Sequence, residues 1–351
     1  MEHLVRSCYK QGGYVFAKKA GSRAHGEGDM RIARLASNEN PEPPSPAAIA
    51  AAQQAVLAAN RYPDERVDML VSALRAYYGD YTFATGVGMD GVIETLMRTL
   101  VEPGETVAIS TPTFSFYSLA AQAQGARVVP VPRRADFSVD TDALIRAGKD
   151  AKIVVLCTPN NPTGNATSVD NVQRVLDEIQ GILFLDNAYV EFSGIDYLPL
   201  LRKYENLVIG RTFSKVHSLA GLRIGYAFIP AWLQPFYLRA GTPFTVNSVS
   251  AAAAAAALSD KEHAARYIAQ VQVWRKRFAT ELKFPTLPSD ANFLMVDVAP
   301  HTGDEVVAKL AAKGVFVRSC RSFTGLRDHY IRVSVGEDWE NGLFIRELNA
   351  L

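Results

Sequence analysis

This sequence has little cysteine, no long apolar run and no surplus of one charge sign. The three cysteines of the 351 residues are Cys8, Cys157 and Cys320. They stand too far apart for a disulfide framework or a zinc site, so no metal is expected and a reducing, cytoplasmic setting is. The run Ala251–Ala257 is too short to cross a bilayer and reads as a buried, closely packed helix. The opening Met1-Glu2-His3-Leu4-Val5-Arg6 carries no apolar h-region, and no secretory signal is expected. Lys and Arg number 37 against 36 Asp and Glu, for a net charge of +1. The two signs are interspersed, so neither nucleic acid nor an anionic membrane is an expected partner.

What is present is an ordinary globular balance, 48% hydrophobic and 21% charged, on a chain long enough for a large domain and a smaller one. Residues 1–35 are weakly patterned and read as an N-terminal arm. A rigid linker, 36–45, contains Asn38-Glu39-Asn40-Pro41-Glu42-Pro43-Pro44 and opens a large domain spanning 36–240. Ser45-Pro46 then starts a helix, with serine as its cap. Apolar strands are expected at Thr106–Ser110, Arg127–Val131, Lys152–Cys157, Gly181–Asp186, Asn206–Arg211 and Ile224–Ile229. Helical patterns lie between most of them, as in Ser168–Ile179 with Val172, Val175, Leu176 and Ile179 on one face. Alternation of this kind implies an α/β fold with a mostly parallel sheet covered on both faces. From 241 to 351 the pattern becomes a compact α+β unit, a candidate small domain. It has a long helix over about Asp260–Lys283, strands at Phe293–Val298, Val315–Arg318 and Tyr330–Val335, and a helix near Asp304–Ala312.

The chemistry gathers at expected strand ends, where open α/β sheets bind ligands. Asn160-Asn161-Pro162-Thr163-Gly164 follows one strand, and Asp186-Asn187-Ala188-Tyr189 ends the next. Arg211-Thr212-Phe213-Ser214-Lys215 ends a third, with Ala220-Gly221-Leu222-Arg223-Ile224-Gly225 beyond it. A lysine beside two hydroxyls and an arginine suits pyridoxal 5'-phosphate. That cofactor needs a lysine for its aldehyde, a carboxylate at the ring nitrogen, donors to the ring oxygen and several phosphate ligands. Lys215 can be the first and Asp186 the second. Asn161 and Tyr189 can be the donors, and Thr212, Ser214 and Arg223 can hold the phosphate. The turn Gly86-Val87-Gly88-Met89-Asp90-Gly91 leads into the helical pattern Val92–Leu100, and a helix start offers N–H groups to phosphate. Gly88, Met89 and Asp90 are therefore candidate phosphate contacts, and Phe114 can stack on the ring.

With these pieces in place, the chain resembles the fold-type I pyridoxal-phosphate-dependent aminotransferases of class I/II, and within them the histidinol-phosphate aminotransferases. The resemblance rests on Leu35 through Pro41, Asn60-Arg61-Tyr62-Pro63-Asp64, Asn161-Pro162-Thr163-Gly164, Asp186 through Tyr189, Ser214-Lys215, Ala220 through Gly225 and Ile331-Arg332-Val333-Ser334-Val335-Gly336, in family order over nearly the whole chain. It implies a three-layer, aspartate aminotransferase-like fold and a homodimer with shared sites, in which Tyr62 reaches the partner's cofactor phosphate. It further implies that Arg318 and Arg332 hold the anionic end of the substrate, with Asn38 nearby. Asn187 departs from the acidic residue common in the family, and Gly91 from an acid that often opens the phosphate-binding helix.

The expected reaction is ping-pong transamination between a phosphorylated amine such as histidinol phosphate and 2-oxoglutarate, as in histidine biosynthesis. Lys215 moves the proton, while Asp186 and Tyr189 complete the catalytic set. Threonine-phosphate decarboxylases resemble the same chain, through Arg318-Ser319-Cys320, Gly325-Leu326 and Gly12-Gly13. Aromatic amino-acid transamination is a further enzymatic alternative. A regulator or silent scaffold of this fold is the non-enzyme alternative, disfavoured because the lysine and aspartate are both present. His217, beside Lys215, reads as a neighbour filling space, and Cys157 as a small buried filler.

Overall fold

The structure, a computed structural model, describes residues 2–10, 13–17 and 31–351. The remainder of the expected arm, Gly12 included, lies outside the described residues. From residue 31 the chain enters β1 (Ala33–Arg34), then the linker, in which Asn38 takes a left-handed φ of 54°. Ser45 caps α1 (Pro46–Val56) as expected, its Oγ accepting the Ala48 N–H at 3.3 Å. The chain continues through α2 (Asp68–Tyr78), β2 (Phe83–Val87), α3 (Gly88–Leu100), β3 (Thr106–Thr111), α4 (Phe116–Ala123), β4 (Arg127–Pro132), α5 (Thr141–Gly148), β5 (Ala151–Cys157), α6 (Val169–Glu178), β6 (Ile182–Asp186), β7 (Leu207–Thr212), β8 (Ile224–Phe228), α7 (Gln234–Ala240), α8 (Ser248–Ala257) and α9 (Lys261–Glu281). Last come β9 (Phe293–Asp297), α10 (Gly303–Ala311), β10 (Val315–Phe316), β11 (Arg318–Ser319), β12 (Tyr330–Ser334) and α11 (Asp338–Asn349).

The main sheet has seven strands in the order β2-β8-β7-β6-β5-β3-β4. Strands β3 to β7 pair in parallel, while β8 runs antiparallel to both β7 and β2. Successive residues of β6 face opposite layers. Leu183 and Leu185 pack with α1, α2, α5, α6 and α8, whereas Ile182 and Phe184 pack with α3, α4 and α7. Both faces are thus covered, giving three layers and the mostly parallel sheet expected. Helix α8 begins after the expected domain boundary at 240, yet its alanines join the core of the large sheet against α1 and α2. Small side chains permit that close packing.

A second core is built on α9, α10, α11 and the antiparallel sheet β11-β12-β9. Strand β1, inside the expected arm, pairs in parallel with β10 and so belongs with this unit. The expected strand Val315–Arg318 is divided between two sheets: Val315–Phe316 pairs with β1, and Arg318–Ser319 pairs with β12.

Two further regions differ from the sequence reading. Helix α11 was not foreseen. Residues 86–91 read as a glycine turn before a helix at Val92, but they form the end of β2 and the first turn of α3. The glycines there serve close approach. A Cβ at Gly86 would lie 2.7 Å from the Val92 nitrogen, and one at Gly225 would lie 2.6 Å from the Gly88 carbonyl carbon and 2.7 Å from the Met89 nitrogen. Without those side chains, the start of α3 packs directly on β8.

Candidate active site

A cavity of about 550 Å³ opens at the carboxyl ends of β5, β6 and β7, between the main sheet and the smaller one. It is lined by Lys215, Asp186, Tyr189, Asn161, Thr212, Ser214, Arg223, Met89, Asp90, Phe114, Asn38, Arg318 and Arg332. The ladder explains part of this convergence: Cys157 of β5 stands opposite Asp186 of β6, which stands opposite Gly210 of β7. Three neighbouring strand ends therefore deliver their loops to one place.

Asp186 is buried. Its Oδ1 accepts the Ala188 N–H at 2.9 Å, and its Oδ2 accepts the Tyr117 hydroxyl at 2.6 Å. Burial pushes its carboxyl up to about 6, while these two hydrogen bonds act the other way. Tyr117 was not among the site residues read from the sequence. Its spacing was the available signal, since a residue three after Phe114 at the opening of a helix can turn back toward the same site. Lys215 lies in the loop after β7, with its Nζ 3.2 Å from the Ser37 carbonyl oxygen and 5.7 Å from the Tyr189 ring centre. Burial first, and then the nearby Arg332, pull its amine down to about 8. Ser37 was likewise not foreseen as a contact, because a backbone acceptor leaves no mark in side-chain identity.

Thr212 and Ser214 are buried on one side of the cavity, with the Ser214 N–H donating to Thr212 Oγ1 at 3.1 Å. Arg223, left-handed at φ 49°, pairs with Asp90 at 2.6 Å. Gly88 does not line the cavity but backs it, and a Cβ there would meet Arg223 Nη2 at 2.6 Å. Met89 and Asp90, in the first turn of α3, present the positive end of that helix to the same corner.

The opposite wall is assembled from distant segments. Arg332 donates through Nη1 to Asn161 Oδ1 at 2.5 Å and through Nη2 to the Ala36 carbonyl at 2.6 Å, while its Nε has no partner among the described residues. Arg318 donates through Nη2 to the Val15 carbonyl at 2.6 Å and to Ser322 Oγ at 2.9 Å. Burial and Arg332 hold the Arg318 guanidinium below its usual value. Among the described residues, neither arginine pairs with a carboxylate. Tyr14 enters the site, its ring edge-on to Phe114 at 5.7 Å, and Phe16 and Phe323 line the cavity beside it.

Tyr62 is not brought to this cavity. It is 83% exposed and stacks on Phe244 at 4.8 Å. His217 also lies outside, against Phe213, and burial pulls its imidazole down to about 4. Asn187 is buried and donates to the Thr158 carbonyl at 2.8 Å, a hydrogen bond that an ionised carboxylate could not donate. Cys157 is buried and lines the cavity, its thiol pushed up to about 12 by burial. Among the described residues, no helix is long and apolar enough to cross a membrane.

Comparison with known proteins adds to this geometry. Residues 31–347 match the family described as aminotransferase class I and II. The chain is 62% identical to a histidinol-phosphate aminotransferase of Methanoculleus marisnigri, with 100% of each chain covered. It is 57% identical to one of Methanosphaerula palustris, again over 100% of both. Its fold is similar to that of histidinol-phosphate aminotransferase from Sinorhizobium meliloti solved in complex with pyridoxal-5'-phosphate. There the TM-score is 0.87 at 28% identity, covering 99% of this chain and 97% of that one.

Proposed function

The chain belongs to the class I and II aminotransferases, a pyridoxal-phosphate-dependent family, and from that premise we propose that it transfers an amino group between L-histidinol phosphate and 2-oxoglutarate. The observation that carries this reading is one cavity that joins a half-buried lysine and a buried aspartate to two arginines without carboxylate partners among the described residues.

The residues fit the cofactor. Among the described residues, the Asp186 carboxylate has two hydrogen-bond donors and no ion pair, the Arg332 Nε has no partner, and the lack of a Cβ at Gly88 makes room for the Arg223 guanidinium. When bound, pyridoxal phosphate supplies an aldehyde carbon for an amine and a protonated ring that takes up carbanion charge. Lys215 holds the cofactor through Nζ. Asp186 would keep the proton on the ring nitrogen, Asn161 and Tyr189 would donate to the ring oxygen, and Phe114 would cover the ring. Thr212, Ser214, Arg223 and the first turn of α3 hold the phosphate. Lys215 Nζ, as a free amine, would take the proton from the substrate carbon and return it as an acid. Its lowered basicity suits both duties. Arg318 and Arg332 bind phosphate in one half-reaction and carboxylate in the other, as planar multi-donor groups can. Phe323, buried and with its ring centre 5.8 Å from the Arg318 guanidinium carbon, shields that side of it from water.

The proposal includes a homodimer, in which exposed Tyr62 contributes to the phosphate site of a second copy. It also includes a cytoplasmic setting, favoured by three free cysteines. The test is a visible spectrum of purified, cofactor-loaded protein before and after histidinol phosphate, with no oxo acid present. Bleaching of the yellow band, restored by 2-oxoglutarate, is expected. A band that persists with histidinol phosphate but bleaches with another amine would overturn the substrate. Carbon dioxide release from threonine phosphate would replace transamination with decarboxylation.

A further inference from the structure

Tyr189 can serve the ring oxygen only if its proton points into the cavity, and the structure contains a device that aims it. Ser334, at the end of β12, is 1% exposed. Its Oγ accepts the Asn38 N–H at 2.8 Å, and its own proton goes to Asn38 Oδ1 at 3.1 Å. These two bonds fix the facing of the Asn38 amide, with its oxygen toward Ser334 and its nitrogen toward Tyr189. Asn38 Nδ2 then donates to the Tyr189 hydroxyl oxygen at 3.1 Å. A phenol that accepts on this side keeps its single proton for another acceptor, and among the described residues it has none. With the amide turned over, Ser334 would lose its acceptor and the Tyr189 proton would go to Asn38 instead. The backbone of Asn38 is pinned as well: its carbonyl accepts Asn292 Nδ2 at 3.1 Å, and that same nitrogen reaches the Tyr267 hydroxyl at 3.1 Å.

We propose that Ser334 is a positioning residue that, through the Asn38 amide, directs the Tyr189 hydroxyl proton into the cofactor cavity. This rests on the reading of Tyr189 as a donor to the ring oxygen. Arg332 from β12, Asp186 from β6, Cys157 from β5 and Lys215 from the loop after β7 are the titratable groups facing Tyr189, and the variants below leave all four unchanged.

The test is a pH titration of the visible band of the cofactor-loaded protein, comparing wild type with Ser334→Ala, Tyr189→Phe and the double variant. Losing a donor to the anionic ring oxygen favours protonation of the cofactor, so Tyr189→Phe should move the midpoint up by about one pH unit. Ser334→Ala should move it in the same direction by less, and the double variant should match Tyr189→Phe alone. An unmoved midpoint in Ser334→Ala, or an added shift of equal size when Ser334→Ala is combined with Tyr189→Phe, overturns the proposal. If Tyr189→Phe itself leaves the midpoint unmoved, the donor reading of Tyr189 fails and the role of Ser334 through it fails too. Should Ser334→Ala not fold, Asn38→Gly keeps the left-handed backbone and removes the amide. The same upward shift is then expected, and its absence overturns the proposal.

Discussion

The two walls of the cavity are built by different means. The main-sheet wall carries Asp186, Asn161, Thr212, Ser214 and Lys215, each within a few residues of a strand end, so parallel backbone ladders set their spacing. The opposite wall carries Asn38, Arg318, Arg332 and Tyr14, joined by side-chain bonds across the chain, such as Asn38 to Ser334 over 296 positions. The first wall mixes charge signs, with Asp186 and Asp90 beside Lys215 and Arg223. The second presents two buried arginines without carboxylate partners among the described residues. The contrast suggests that the first wall performs the chemistry and the second chooses what is presented to it.

Substitutions can break that division. The largest effect is expected for Lys215→Ala, which should lower turnover by more than ~10³-fold and abolish borohydride-trapped cofactor. A retained adduct would place the attachment elsewhere. Asp186→Ala should lower turnover by about 10²-fold and weaken cofactor retention on dialysis, and wild-type values for both would remove its role at the ring nitrogen. On the other wall, Arg332→Ala should mainly raise KM, by about 10- to 100-fold for phosphorylated and dicarboxylic substrates alike, with kcat changed less. A pure kcat loss would erase the distinction between the walls. The smallest effect is a shift in pH. In cofactor-free protein, labelling of Lys215 by an amine reagent should rise with pH through about 8, because its depressed pKa leaves the neutral amine dominant above that point. A midpoint near that of an ordinary surface lysine would show that Arg332 and burial do not act on it.

The same contrast governs what could be read from the sequence. Asp186, Lys215 and Asn161 were legible because each follows an apolar run that reads as a strand, and neighbouring strand ends meet in such sheets. The cap at Ser45 was legible for a similarly local reason. The second wall was accessible only through family resemblance, since nothing near Arg318 or Arg332 says that the two will face Lys215. The Tyr117 bond to Asp186, the Ser37 carbonyl and the entry of Tyr14 depend on tertiary placement. Strand β2 was missed because Gly86 signals a turn when no neighbour is known, and signals a close neighbour once α3 is seen lying against it. Tyr62 shows the limit from the other side, for a motif on an exposed surface gains its proposed role only from a second copy.

Gly225 shows how little sets the phosphate corner. A single added methyl group would sit within 2.7 Å of the Met89 nitrogen. The distance from sheet to helix end is thus gauged by an absent carbon, as a machinist gauges a gap by leaving out a shim. Any larger residue would lift the whole first turn of α3 from β8, shifting Met89, Asp90 and, through the Asp90 ion pair, Arg223 together. The corner is therefore one mechanical part, whose tolerance is set on a strand that contributes no side chain to it at that position.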